Sequence, residues 1–130
     1  MVGLVIASHS AKLAEGVKEL AAQMAGEDLK IIPAGGLAGG AIGTDAVRIG
    51  QAIQKADSGD GVVVLADLGS AVLSTQTALE LLDEKQKSRI RIADAPLVEG
   101  AVGAAVTASA GSPLNEVVGE AERSRDLKKL

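Results

Sequence analysis

The sequence predicts an α/β domain on an open, mainly parallel four-stranded sheet with helices on both faces. Three observations carry that reading. Short apolar runs alternate along the chain with longer stretches of helical spacing. Two of the runs, Val2–Ala7 (VGLVIA) and Gly61–Ala66 (GVVVLA), lack the polar alternation of a strand with one wet face, so they read as central strands. The length of 130 residues, 47% of them hydrophobic, suits one domain over residues 1–130.

The elements follow in order. After the strand Val2–Ala7, a helix spans Ala11–Ala25, where Leu13, Val17, Leu20 and Met24 fall at i, i+4, i+7 and i+11 as one apolar stripe. The run Leu29–Ile32 (LKII) is the second strand. A glycine-rich loop, Ala34–Thr44 (AGGLAGGAIGT), leads from it to a helix over Asp45–Ala56. Gly61–Ala66 is the third strand, and Val72, Thr75, Leu79 and Leu82 repeat the helical stripe after it. Arg89–Ala93 (RIRIA) is the fourth strand. A helix begins near Pro96, a residue suited to a first helical turn. Its small residues Gly100, Gly103, Ala104 and Ala108 permit close approach to a neighbour, within the domain or in an oligomer. Ser112-Pro113 reads as the N-cap and first residue of a last helix, with Leu114, Val117 and Val118 as its apolar side. The terminal RSRDLKKL reads as a frayed helix end. Right-handed crossovers limit the topologies, and the flavodoxin-like strand order 2-1-3-4 is predicted.

Composition removes several functions. The chain has no Phe, Tyr or Trp, so it offers no rings for stacking bases or caging quaternary ammonium groups. A net charge of -4 and a pI near 5.0 argue against nonspecific attraction to nucleic acid or anionic lipid. The absence of Cys removes disulfides, zinc–thiolate sites, iron–sulfur clusters and thiol nucleophiles. The N-terminus MVGLVIASHS lacks the basic lead and the length of a signal peptide, and no apolar run is long enough to span a bilayer. A cytoplasmic location is the expectation.

In such folds ligands bind beyond the carboxyl ends of the strands, where the strand order reverses. With the first strand beside the third, that point lies between Ser8-His9-Ser10 and Asp67-Leu68-Gly69-Ser70. The only His in the chain falls there, facing an acid at the end of the neighbouring strand. His9 has two readings: a capping or partly buried polar residue, or a functional imidazole whose tautomer Asp67 fixes. Asp67 likewise reads as an N-cap, as an orienting acid, or as both through its two oxygens. Ser10 and Ser70 open helices, whose free N–H groups attract anions. Gly69 permits close backbone approach, and the five glycines of the loop leave N–H groups uncovered. The loop reads equally as merely flexible.

Other chemistries fit less well. G-x-x-x-x-G-K-[ST] and G-x-G-x-x-G are both absent. G-x-S-x-G is missing too, and Ser8 and Ser10 need not face the ring between them. No carboxylate cluster has metal-ligand spacing, so neither a metal nor another cofactor is expected. His9 remains as the nucleophile, with phosphate as its natural electrophile.

Four segments taken in order carry a family resemblance: VIASHS, IGTDAV, ADLGSAVLS and APLVEG. Together they resemble the mannose-type enzyme IIA domain, in the branch found as the phosphotransferase subunit of phosphoenolpyruvate-dependent dihydroxyacetone kinase. The resemblance covers residues 1 to about 120. It implies that His9 is phosphorylated by the histidine phosphocarrier protein and that the phosphate passes to ADP on the nucleotide-binding kinase subunit. It also implies a homodimer. Transfer through a loose transition state rests on positioning and charge stabilisation. Those roles are assigned to backbone N–H groups near Gly36, Gly69 and Ser70, to hydroxyls such as that of Thr44, and to Asp67 holding the imidazole. Sugar-transporting members typically show Gly after the active His and a Gly-Gly pair after the Asp-Leu segment. Ser10 and Gly69-Ser70 stand there instead, which favours the dihydroxyacetone branch. Some members continue into phosphocarrier-like and enzyme I-like domains, and this sequence ends before them. Two alternatives remain at this level: an enzyme IIA that serves a sugar-transport enzyme IIB, and a regulatory binding module in which His9 is structural.

Overall fold

The computed structural model describes residues 1–130. Four strands, β1 (Gly3–Ser8), β2 (Ile31–Gly35), β3 (Val62–Ala66) and β4 (Ile90–Ile92), pair in the order β2-β1-β3-β4, every pair parallel. Six helices accompany them: α1 (Ala11–Ala25), α2 (Ala46–Ala56), α3 (Gly69–Glu80), α4 (Glu84–Lys87), α5 (Leu97–Ser109) and α6 (Leu114–Arg123). The predicted class and strand order are both observed. The short α4 has no counterpart in the sequence reading.

Strand alternation sorts the core into two clusters. Leu4, Ile6, Val63 and Leu65 pack under α1, α5 and α6. Val5, Ala7, Val62 and Val64 point the other way, under α2 and α3. β1 is buried along its whole length, so its carboxyl end delivers Ser8 and His9 between two helical layers.

Three element readings are corrected. The second strand runs to Gly35 instead of ending at Ile32. Leu4 N–H bonds to Lys30 C=O and Gly36 N–H to Ser8 C=O, which places the even-numbered residues of this segment toward β1. Pro33 therefore meets the open edge, where a missing N–H costs no ladder bond. The outward carbonyl of Gly35 accepts from Arg48 Nη1 at 3.4 Å. The last helix starts one residue late, with Pro113 in the N-cap position and Ser112 outside it, because Pro113 holds an extended ψ of 164°. Pro96 likewise precedes α5 as an uncapped N-cap.

The stripe on α1 does not coincide with its buried face. Ala14, Val17 and Ala21 are buried, while Leu13, Leu20 and Met24 are 42%, 47% and 60% exposed. Small residues face the sheet because α1 sits close to it. A Cβ on Gly35 would run into the Ser10 carbonyl and the Ala14 methyl. The glycines of α5 serve the same purpose within the domain: a Cβ on Gly103 would lie 3.4 Å from the Glu120 carbonyl of α6, and one on Gly100 only 2.9 Å from Ala95 Cβ.

Candidate functional site

β1 and β3 are neighbours, with Ala7 opposite Ala66, so the residues that follow them meet. His9 Nδ1 lies 2.9 Å from Asp67 Oδ1. An ionised carboxylate only accepts, so a proton sits on Nδ1, and in the neutral imidazole Nε2 carries the lone pair. Nε2 meets the Ser70 hydroxyl, which donates to it. The Asp67 side chain is 10% exposed and that of His9 22%, so the pair is sheltered yet reachable from solvent.

Asp67 is saturated with donors. Oδ1 accepts from His9 Nδ1–H and from Leu68 N–H at 2.7 Å. Oδ2 accepts from Ser8 Oγ–H at 2.8 Å and from His9 N–H at 3.0 Å. Burial pushes the carboxyl's pKa up, but the donors from His9, Ser8 and Leu68 outweigh burial and hold it below the usual carboxylate value. The acid is therefore an anion at neutral pH, fixed in plane and direction.

The helix N-termini around the imidazole differ. Ser10 Oγ caps α1 by accepting from Leu13 N–H at 3.2 Å. Asp45 caps α2 by accepting from Val47 and Arg48 N–H. α3 has Leu68 in the N-cap position and no side-chain cap. Its first amides, Gly69 and Ser70, have no helical carbonyl to bond. None of α1, α2 and α3 carries an acid in its first turn, whereas α4, α5 and α6 carry Glu84, Glu99 and Glu116. An anion next to His9 Nε2 thus meets an open, positive helix end with a hydroxyl beside it. No cluster of three His, Asp or Glu side chains suited to a metal ion is formed. A cleft of about 440 Å³ between Ala66–Gly69 and Ile92–Ala95 borders the site without including His9.

The family model described as PTS system fructose IIA component, EIIA-man, matches residues 3–118.

The chain belongs to the EIIA-man family.

Curated relatives agree. The phosphoryl donor subunit DhaM of PEP-dependent dihydroxyacetone kinase 2 from Listeria innocua is 43% identical over 82% of this chain and 85% of its own length. The DhaM subunits from Klebsiella michiganensis and Escherichia coli K12 are 44% and 45% identical over 100% and 99% of this chain. The chain spans only 28% of the length of those two relatives. A crystal structure of the unknown-function protein EF1359 superposes with a TM-score of 0.82 at 40% identity, covering 94% of each chain.

In this EIIA-man chain the structure brings together His9, Asp67, Gly69 and Ser70 of the residues singled out in the sequence. The others are engaged elsewhere. The Gly36 amide donates to the Ser8 carbonyl at 3.1 Å, so it is not free to hold a phosphate. Gly36 adopts φ 72°, which turns the chain away from β2. Ser10 is a cap, with its amide donating to Ser8 Oγ at 3.1 Å. Thr44 Oγ1 lies 2.7 Å from Ser74 Oγ, one turn beyond Ser70 on α3, and so ties the loop to that helix. The loop also bonds across the site, through Gly43 N–H to the His9 carbonyl at 2.9 Å. Asp67 is not the N-cap of α3. It bonds the amide of Leu68, one residue before the helix.

Ser8, which is not among the site residues expected from the sequence, belongs to the site. Its residue is fully buried, and its hydroxyl donates to Asp67 while accepting from Ser10 N–H. One signal was present: a hydroxyl ending an otherwise apolar buried strand needs a partner.

Proposed function

We propose that this chain is a phosphohistidine carrier, one EIIA-man domain of a phosphoenolpyruvate-dependent dihydroxyacetone kinase. His9 Nε2 receives the phosphoryl group from the histidine phosphocarrier protein and gives it to ADP on the nucleotide-binding kinase subunit. One observation carries the reading: Nδ1 is tied to Asp67 while Nε2 points at the uncapped N-terminus of α3. The DhaM names of the relatives supply the kinase context.

In the first step the Nε2 lone pair attacks phosphorus. The donor's N–P bond breaks and its electron pair returns to the donor imidazole. The His9 ring then carries positive charge and keeps its Nδ1 proton, stabilised by the anionic Asp67. The Ser70 hydroxyl swings from Nε2 to a phosphoryl oxygen, and the Gly69 and Ser70 amides take the developing equatorial charge. In the second step an oxygen of the ADP terminal phosphate attacks and the N–P bond of His9 breaks.

Incubation with phosphoenolpyruvate, enzyme I and the phosphocarrier tests the reading. The expected product is one acid-labile phosphoryl group on His9, and ATP forms when the ADP-loaded kinase subunit is added. Phosphorylation without ATP, but with transfer to an enzyme IIB, would assign the chain to sugar transport. No phosphorylation would leave a binding module. The carrier works beside its donor in the cytoplasm; no helix is long and apolar enough to cross a membrane. It acts as a homodimer. Uncovered apolar side chains on α1 (Leu13, Leu20, Met24) and on the adjacent α5 (Val98, Val106) support that state. Sedimentation of wild type and Leu20→Glu measures it, with a monomeric wild type as the contrary result.

A further inference from the structure

We propose that Ser8 is a positioning residue, whose buried hydroxyl fixes Asp67 so that His9 presents Nε2 and not Nδ1 as its nucleophilic nitrogen. The assignment of Nε2 as nucleophile rests on the carrier reading above; the action of Ser8 on Asp67 does not.

The carboxylate of Asp67 has two jobs on its two oxygens. Oδ1 must hold the His9 ring at Nδ1 beside the Leu68 amide, and the tilt of the carboxylate about that anchor depends on what grips Oδ2. Two donors grip Oδ2. One is the His9 backbone amide, which the chain supplies whatever residue stands at position 9. The other is Ser8 Oγ–H, the only side-chain donor to Asp67 besides the imidazole itself. Ser8 is anchored in turn. It ends the fully buried β1, and its Oγ accepts the Ser10 amide that begins the turn into α1. One hydroxyl thereby links the strand carrying the nucleophile, the acid on the neighbouring strand end and the start of α1.

Without that hydroxyl, Oδ2 keeps only the His9 amide while Leu68 N–H stays on Oδ1, and the carboxylate is left free to tilt about its Cβ–Cγ axis. The neutral imidazole then loses its bias toward the Nδ1–H tautomer. No other charged side chain bonds His9 to replace this control. Lys12 of α1 makes no ion pair with it, and Asp45 and Arg48 of α2 are engaged with backbone. Across the sheet end, Asp94 pairs with Arg125 and Glu99 with Lys129.

The experiment compares Ser8→Ala and Ser8→Thr with wild type by two readouts. Nitrogen-15 NMR of the His9 ring reports the tautomer of the resting protein and needs no phosphoryl donor. The rate of phosphorylation by the phosphocarrier reports the consequence. In Ser8→Ala the ring is expected to become a tautomer mixture and phosphorylation to slow by about 10–100-fold. Ser8→Thr, which restores a hydroxyl, recovers both. In an Asp67→Asn background, Ser8→Ala is expected to add less than about twofold, since its effect passes through Asp67. If Ser8→Ala does not fold, Ser8→Cys, similar in volume and a weaker donor, must show the same tautomer change. A single Nδ1–H tautomer in the variant lacking the hydroxyl overturns the proposal, as does equal impairment in Ala and Thr variants. A wild type that is never phosphorylated defeats the carrier reading alone and leaves the tautomer test of Ser8 intact.

Discussion

Two strand-to-helix junctions lie side by side at the carboxyl end of the sheet, and they are finished differently. In each, two residues separate strand from helix: His9-Ser10 between β1 and α1, Asp67-Leu68 between β3 and α3. The first is closed. Ser10 caps α1 with its own hydroxyl, and Ser8 Oγ takes the Ser10 amide. The second is open. Leu68 has no oxygen to offer, so the amides of Gly69 and Ser70 stay unused, and its own side chain lies on the surface. In the carrier proposed above, the closed junction would hold the nucleophile still, while the open one would leave donors for an anion that arrives from outside. A side-chain cap on α3 would compete with that anion, which gives a physical reason for an apolar residue where Ser, Thr, Asp or Asn would stabilise the helix.

Replacement experiments can break this contrast. The largest effect is expected at the nucleophile: His9→Gln should abolish phosphorylation, and intact-mass measurement after incubation with donor should show no added phosphoryl group. Next comes Asp67→Asn, which keeps the shape but cannot accept from all four donors. Transfer is expected to fall by about 10²–10⁴-fold with the fold retained, as happens when a His-orienting acid is neutralised. Stopped-flow or quench-flow rates beside a circular-dichroism spectrum would decide it. Leu68→Ser then makes the open junction resemble the closed one. A cap should raise stability by about 1 kcal/mol and slow transfer by about tenfold, through competition for α3 amides. A more stable variant with an unchanged rate would refute the role given to those amides.

Ser10→Ala runs the comparison in reverse. It should cost about 1 kcal/mol of stability through the lost α1 cap, and change the transfer rate less than Leu68→Ser does. The smallest effect is that of pH. Donors hold the Asp67 carboxyl below its ordinary value in the folded chain. Its contribution to stability is thus complete above the unfolded carboxylate range, near pH 4, and disappears as pH falls through the lower folded value. Acid denaturation of wild type should therefore be steeper below about pH 4 than that of Asp67→Asn. Equal slopes would mean that the carboxylate's donors stabilise nothing.

Much of this site was legible in the chain. An unbroken apolar run, VGLVIA, marks a strand buried on both faces, and two such runs set the middle of the sheet. Once β1 lies beside β3, the backbone brings His9 and Asp67 side by side at the end of the sheet. The donors around them were less legible. Gly36 looked available because glycine exposes its amide, yet extension of β2 through Pro33 and Gly35 uses that amide against Ser8. Leu13, Leu20 and Met24 looked like core because periodicity reports a stripe without saying which flank the neighbouring elements cover. Close packing of α1 on the sheet gave the buried positions to Ala14, Val17 and Ala21 instead.

The sequence by itself determined the α/β class, the strand order, and the pairing of one histidine with one acid at the switch point. These follow from hydrophobic periodicity and chain handedness, which are properties of neighbours along the chain. Only the tertiary structure decided which lone pairs and N–H groups remained for chemistry. A buried polar group is costly without a partner, and the bonds from Ser8 and His9 to Asp67 cross 59 and 58 positions. Such bonds are settled by which groups the folded backbone has already used, and that is why Ser8 entered the site, Gly36 left it, and the bare N-terminus of α3 stayed open beside His9.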